Sequence, residues 1–152
     1  MPEIFVDADA CPVKDEVLRV AERHGLRVTF VSNGGLRPSR DPMLRVVTVG
    51  KGADAADDWI VAEARAQDLV VTADILLARR CLETGALPIG PDGRVFSAES
   101  IGMAVAMRDL HAHLRETGNL AGSGKVFTPK DRSAFLSAFD TLVHRARRAA
   151  GG

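Results

Sequence analysis

Six aspartates, Asp7, Asp9, Asp54, Asp57, Asp58 and Asp74, follow three of the chain's short apolar runs, and their spacing suits one kind of chemistry. Asp7 and Asp9 stand two residues apart after Ile4-Phe5-Val6, a period that puts both carboxylates on one side if the strand continues through them. Asp54 and either Asp57 or Asp58 share a face of a helix's opening turns, and Asp74 closes Val71-Thr72-Ala73-Asp74. Carboxylates brought together repel, and without a counter-charge at least one takes up a proton at neutral pH. A hard cation resolves the conflict. Mg²⁺ or Mn²⁺ prefers octahedral oxygen ligands, keeps waters, and in ones or twos activates a water and stabilises both oxygens of an in-line phosphoryl displacement. All six are therefore candidate metal ligands, with Asp7, Asp9, Asp54, Asp57 and Asp74 as the catalytic set. Four histidines and no tyrosine leave few rivals as general base.

Capping competes with this reading, because each of these loops opens a helix and Asp is a favoured N-cap. Asp54 and Asp74 fit that role. Asp9 fits it less well, since Pro12 at a first helical position makes Cys11 the cap, and Asp7 lies in or just beyond an apolar strand, where an unpaired carboxylate costs on the order of several kcal/mol. Around the same edge, Lys14, Arg37, Arg40 and Lys51 are candidates to hold a nucleic-acid backbone, and Asn33 to donate to substrate or to a bound water. All four cations are equally explained as ordinary surface charges.

The elements that would position these groups alternate. Strand-like runs at 4–6, 28–31, 45–49, 69–72 and 87–89 are separated by helical patterns at 12–24, 54–67 and 75–84, the last closed by Gly85, with a long loop over 34–42. β-rich runs divided by helices predict a mostly parallel sheet covered on both faces, whose strand ends share one ligand-binding crevice. The final third is helical. Ser97 caps a helix to about Glu116, in which Met103, Met107, Leu110 and Leu114 form a stripe expected to be buried. A Gly-rich linker spans 119–125. Thr128 and Pro129 then open a helix carrying Phe135, Leu136, Phe139, Leu142 and Val143 on one face and ending in the basic His144-Arg145-Ala146-Arg147-Arg148. The expectation is one domain over 1–152: an α/β sheet core at 1–95 with helices 97–148 packed on it.

Composition narrows the function classes. Lys plus Arg and Asp plus Glu are 20 each, so no global field draws the protein to nucleic acid or lipid. The start lacks a basic segment followed by a long apolar run, and no stretch is long enough to span a membrane, which predicts a cytoplasmic protein. Cys11 and Cys81 are expected to be reduced and structural. Nothing in the sequence sets an oligomeric state.

Val6-Asp7-Ala8-Asp9-Ala10-Cys11-Pro12-Val13-Lys14, Gly52-Ala53-Asp54-Ala55-Ala56-Asp57-Asp58-Trp59-Ile60-Val61 and Val71-Thr72-Ala73-Asp74-Ile75 resemble the YaiI/YqxD family of bacterial proteins, a PIN-like group related to NYN-type nuclease domains. Ala78-Arg79-Arg80-Cys81-Leu82-Glu83, Ala106-Met107-Arg108-Asp109 and Lys130-Asp131-Arg132-Ser133-Ala134-Phe135 extend the likeness over nearly the whole chain. The resemblance implies a three-layer α/β/α PIN-like fold with a Mg²⁺-dependent nuclease-type centre, carried onto Asp7, Asp9, Asp54, Asp57 or Asp58, and Asp74. It implies no particular substrate. Leu76 departs from the Pro common after Asp74-Ile75, and the stretch Gly122 to Val126 is atypical.

Three other signals compete. Gly50-x-Gly52-x-x-Ala55 superficially fits a dinucleotide fingerprint, but a pyrophosphate there would meet Asp54, Asp57 and Asp58. Gly122-Ser123-Gly124-Lys125 has neither the spacing nor the hydroxyl of a P-loop. Asp7-x-Asp9 also resembles the nucleophile motif of haloacid-dehalogenase-type phosphatases, with Ser32 and Asp74 as later members, although Pro12 leaves no room for their usual hairpin. The expected function is a Mg²⁺- or Mn²⁺-dependent phosphodiesterase acting on RNA, through an activated water. The alternatives are that phosphatase, with Asp7 as nucleophile, and a PIN-like module that binds metal or nucleic acid without cleaving.

Overall fold

The structure, a computed structural model, describes residues 1–52, 54–117 and 126–151. The Gly-rich linker expected at 119–125 lies outside the described residues. Short runs of Val, Ile, Leu and Phe form five strands: β1 Ile4–Asp7, β2 Val28–Ser32, β3 Leu44–Thr48, β4 Leu69–Val71 and β5 Leu87–Ile89. They make one wholly parallel sheet in the order β3-β2-β1-β4-β5. Five α-helices accompany it, α1 Lys14–His24, α2 Ala55–Glu63, α3 Ile75–Glu83, α4 Ala98–Glu116 and α5 Pro129–Gly151. None is long and apolar enough to cross a membrane.

Alternation along the strands divides the core in two. Ile4, Val6, Val28, Phe30, Leu69 and Val71 face α1 and α5, whereas Phe5, Val31 and Val70 face α2 and α3. Three layers result, α/β/α, and α4 packs outside α3 through Ala104, beside Ala78 and Phe96. The sheet winds outward from β1 to β2 and β3 on one side and from β4 to β5 on the other. The gap between β1 and β4 is thus the topological switch point, where open α/β sheets admit ligands beyond the strands' carboxyl ends.

Three details differ from expectation. The first strand stops at Asp7, and Ala8–Ala10 form a 3-10 turn that carries Asp9 sideways. No hairpin intervenes between Asp9 and α1. Helix α2 ends at Glu63 rather than near Gln67: Ala64 is extended, Gln67 takes a left-handed φ of 71°, and the buried Asp68 carboxylate accepts the amides of Arg65 and Glu3 at 2.8 and 2.9 Å. A carboxylate that satisfies turn amides competes directly with further helix. Finally, Met103, Met107 and Leu110 on α4 are 67, 42 and 47% exposed instead of buried. Helical spacing identifies an apolar stripe but not its partner, and the row that meets α3 is the one through Ile101 and Ala104.

Helix α5 is the long apolar cover of the first face. Phe135 and Phe139 are fully buried and stack at 5.0 Å, and Leu142, Val143 and Ala146 continue the row. Gly93, at φ 91°, lets the β5–α4 turn lie on α5 so closely that a Cβ there would come within 2.8 Å of the Ala134 carbonyl. Polar bonds fix α1 against α5. Arg132 donates to both Glu16 oxygens at 2.7 Å; burial alone would raise the Glu16 carboxyl, and this guanidinium leaves it lowered instead. Buried His24 meets Asp140 at 2.8 Å through Nε2 and Arg147 at 2.9 Å through Nδ1. Arg147 can only donate, so Nδ1 accepts and Nε2 carries the hydrogen given to Asp140.

The His24 hydrogen bond, aided by the charges of His144 and Arg23, holds the Asp140 carboxyl below its ordinary 3.8. A lowered acid stabilises the fold above its unfolded pKa and loses that contribution as pH falls through the lower folded value. Asp140→Ala should cost about 1–3 kcal/mol at pH 7, because it strands a buried N–H. Urea unfolding from pH 7 down to pH 2 checks this, and the deficit should shrink below about pH 4.

Candidate functional site

The carboxyl ends of β1 and β4 bring three aspartates together. Asp7, the last residue of β1, shares the parity of Phe5 and so points to the α2 and α3 side of the sheet. Its Oδ2 accepts from the Thr72 hydroxyl at 3.0 Å, and the same hydroxyl accepts the Asp74 amide at 2.9 Å. Asp74 caps α3 through Oδ1, which takes the amides of Leu76 at 2.9 Å and Leu77 at 3.2 Å. Asp57 rises from the first turn of α2 and shares a side-chain hydrogen bond with Asp74. Two carboxyls can share such a bond only if one keeps a proton.

The electrostatics follow from this crowding. Burial pushes Asp57 up to about 7, with the charges of Asp74 and Asp7, the shared bond and Asp54 adding to it. Asp7 is raised by burial and by Asp74 and Asp9, against the Thr72 hydrogen bond, which lowers it. At the α3 N-terminus the Leu76 and Leu77 amides and the positive end of the helix dipole face the Asp74 carboxylate.

The remaining candidates divide. Asp9 turns toward β2, where both oxygens are engaged, by the buried Ser32 hydroxyl at 2.6 Å and the Asn33 amide at 2.8 Å. Its place is to fix the β1 and β2 ends together. Asn33 gives its side-chain amide to the Gly50 carbonyl at 2.7 Å, tying the β2 and β3 loops. Asp54 is exposed just before α2, makes no side-chain cap, and reaches the cluster through its charge on Asp57. Asp58 leaves the group for an exposed ion pair with Arg80 at 2.9 Å. Lys14 bridges back to the Cys11 carbonyl at 3.2 Å, while Arg37 and Lys51 are exposed. Arg40 lines a hollow with Arg27 and Leu44 at the amino end of β3, the opposite end of the sheet from the aspartates. Thr72, which the sequence reading did not single out, ties Asp7 to Asp74; its signal was a hydroxyl closing an apolar strand two residues before an aspartate.

These donors fit a cation of one particular kind. Among the described residues, no three aspartates bring ligand oxygens within 4.8 Å of one another; only His24, Asp140 and His144 form such a trio. In that trio the His24 nitrogens are both engaged, so it acts as a clamp between helices. The aspartate edge is too open for a closed cage and suits an ion that keeps several waters and takes one or two carboxylates. Neither thiol competes, since burial raises Cys11 and pushes Cys81 up to about 12.

Comparison with known proteins agrees with the motifs. Residues 5–145 match the family described as "Uncharacterized BCR, YaiI/YqxD family". A UPF0178 protein of Rhizobium etli is 65% identical over 148 residues, covering 97% of this chain and 96% of the relative. UPF0178 proteins of Mesorhizobium japonicum and Agrobacterium fabrum are 63% and 61% identical, covering 98% and 97% of this chain and 96% of each relative. No solved structure matches.

Thr72→Val keeps the side chain's shape and removes both of its bonds. It should raise the Asp7 carboxyl further, readable by carboxyl NMR titration, and cost about 1–3 kcal/mol for the stranded Asp74 amide, readable by denaturation. An unmoved Asp7 titration would show that the hydroxyl does not tune this site.

Proposed function

The chain belongs to the YaiI/YqxD family, and from that premise we propose that it is a PIN-like, Mg²⁺- or Mn²⁺-dependent phosphodiesterase that hydrolyses RNA. The observation that carries this reading is the meeting of Asp7, Asp57 and Asp74 at the switch point, with Asp57 pushed up to about 7. Half-buried carboxylates that raise one another in a crevice mark a candidate functional site, and divalent-ion hydrolysis takes carboxylate ligands of this kind. One or two of Asp7, Asp57 and Asp74 would hold the ion directly and the rest through its waters, with Asp54 at the rim. When bound, the cation supplies the positive charge that offsets their repulsion, polarises a phosphoryl oxygen and makes water a better nucleophile.

The chain's own groups do the rest. Thr72 and the α3 amides hold the Asp7 and Asp74 carboxylates in place, so little reorganisation is needed as charge develops. Asp57 faces Asp74 and Asp7 and would be held ionised by a bound cation, able to accept a hydrogen bond from an attacking water. Asp9, held by Ser32 and Asn33, keeps the β2 loop against the site. Lys14, at the start of α1, and Lys51, after β3, would meet backbone phosphates and add affinity without reading sequence.

The direct test incubates the protein with labelled single-stranded and structured RNA and DNA in Mg²⁺, Mn²⁺ or EDTA, beside Asp7→Asn. RNA should be cut only with a cation, and the variant should lose on the order of 100-fold. Cleavage in EDTA, or equal cleavage by the variant, would contradict the assignment. Metal binding without cleavage would make the protein a binding module.

A second expectation concerns pH. Asp57 is about 7 when folded and near 3.8 when unfolded, so between those values the folded state binds the extra proton. Stability in EDTA should therefore fall as pH rises from about 4 to about 7. Mg²⁺ should restore it at pH 8, and Asp57→Asn should flatten both responses in thermal melts.

A further inference from the structure

Beside the acidic edge lies a hollow of about 370 Å³ that the proposed chemistry does not use. Its walls are Ala10, Pro12, Ala73, Ile75, Phe96 and Phe127, with Arg94 at the rim. That volume is in the range of small-ligand sites, and a mostly apolar lining with a few polar groups is their usual character. The hollow and the aspartates share their loops: Ala10 follows Asp9, and Ala73 and Ile75 flank Asp74. A ligand whose phosphate sits at Asp7, Asp57 and Asp74 therefore has this space next to it.

We propose, resting on the phosphodiesterase reading above, that the hollow seats the base of the nucleotide adjoining the scissile phosphate. Its surfaces suit a flat heterocycle. The exposed Arg94 guanidinium lies 5.3 Å over the buried Phe96 ring, which supports it from beneath, so a base would rest on the outer face of Arg94. Asp92 and Asp131 make part of the lining polar, Asp92 taking the Arg94 amide at 3.1 Å and Asp131 the Thr128 amide at 3.0 Å. The floor is preformed, because the Gly90–Gly93 turn is closed by the Gly93 amide on the Gly90 carbonyl at 3.0 Å and seated against α5 at Ala134. A preformed stacking slot binds without first ordering its own loop. This gives the site a substrate class, single-stranded nucleic acid with at least one base splayed from its neighbours.

The test uses nucleoside 5′-monophosphates against ribose 5-phosphate, which offers the same phosphate without a base, each titrated in Mg²⁺ by calorimetry and amide NMR. None requires turnover. The nucleotides should bind about tenfold or more tighter than the sugar phosphate, with shifts at Ala73, Ile75, Arg94 and Phe96. Ala73→Phe, which fills the hollow from an exposed position, should remove that advantage, and Arg94→Ala should reduce it several-fold. Equal binding of both ligands, or shifts confined elsewhere, overturns the base site while leaving the cleavage result to decide the phosphodiesterase. Base-dependent binding lost in Ala73→Phe supports the site even if no RNA is cut, a combination that would count against the phosphodiesterase alone.

Discussion

Mutual repulsion of carboxylates at the switch point is the constraint around which the rest of this edge is arranged. Asp7, Asp57 and Asp74 approach from three different elements, and their charges oppose the packing that brings them there. The chain meets the cost locally. Thr72 bridges Asp7 to the Asp74 backbone, the α3 amides take one Asp74 oxygen, and the Asp57 carboxyl is pushed up to about 7. Each device weakens the repulsion and none removes it. A cation in the same place would, and this is the ground on which a metal site is proposed.

The scaffold's part is rigidity on both sides of that strain. One face of the sheet is closed by α1 and α5, cross-linked through Glu16–Arg132 and His24–Asp140 and packed by the Phe135–Phe139 stack. The other is closed by α2 and α3, whose first turns deliver Asp57 and Asp74. Because the aspartates sit where these helices begin, movement of α2 or α3 along the sheet would change the spacing of the carboxylates. The packed core of Phe5, Ile60, Val70 and Leu77 resists that movement.

Much of this was readable in advance. Strand and helix periods located all five strands and the helices between them, because each apolar run is short, β-rich and bounded by turn residues. Ser97, with its capping box, marked the start of α4. What escaped was decided by partners rather than by pattern. The Met103, Met107, Leu110 row has the spacing of a buried face, yet Ala104 and Ile101 are the residues that meet α3. The end of α2 depended on Asp68, whose carboxylate takes the Arg65 amide and also that of Glu3, sixty-five residues away, a pairing no local window contains. At the site, loop position put Asp7, Asp57 and Asp74 on one edge of the sheet, but could not say that Asp9 would be turned to Ser32, that Asp58 would choose Arg80, or that Arg40 would lie at the other end of the sheet. Those outcomes rest on single hydrogen bonds and on where one loop returns.

The central claim is that this crowded edge is a divalent-cation site, and anomalous diffraction from crystals soaked in Mn²⁺ tests it most directly. The account requires a peak within coordination distance, about 2.0–2.3 Å, of carboxylate oxygens from two or more of Asp7, Asp57 and Asp74, with water completing the shell. A peak only at His24, Asp140 and His144, or none at the sheet edge under saturating Mn²⁺, would contradict it.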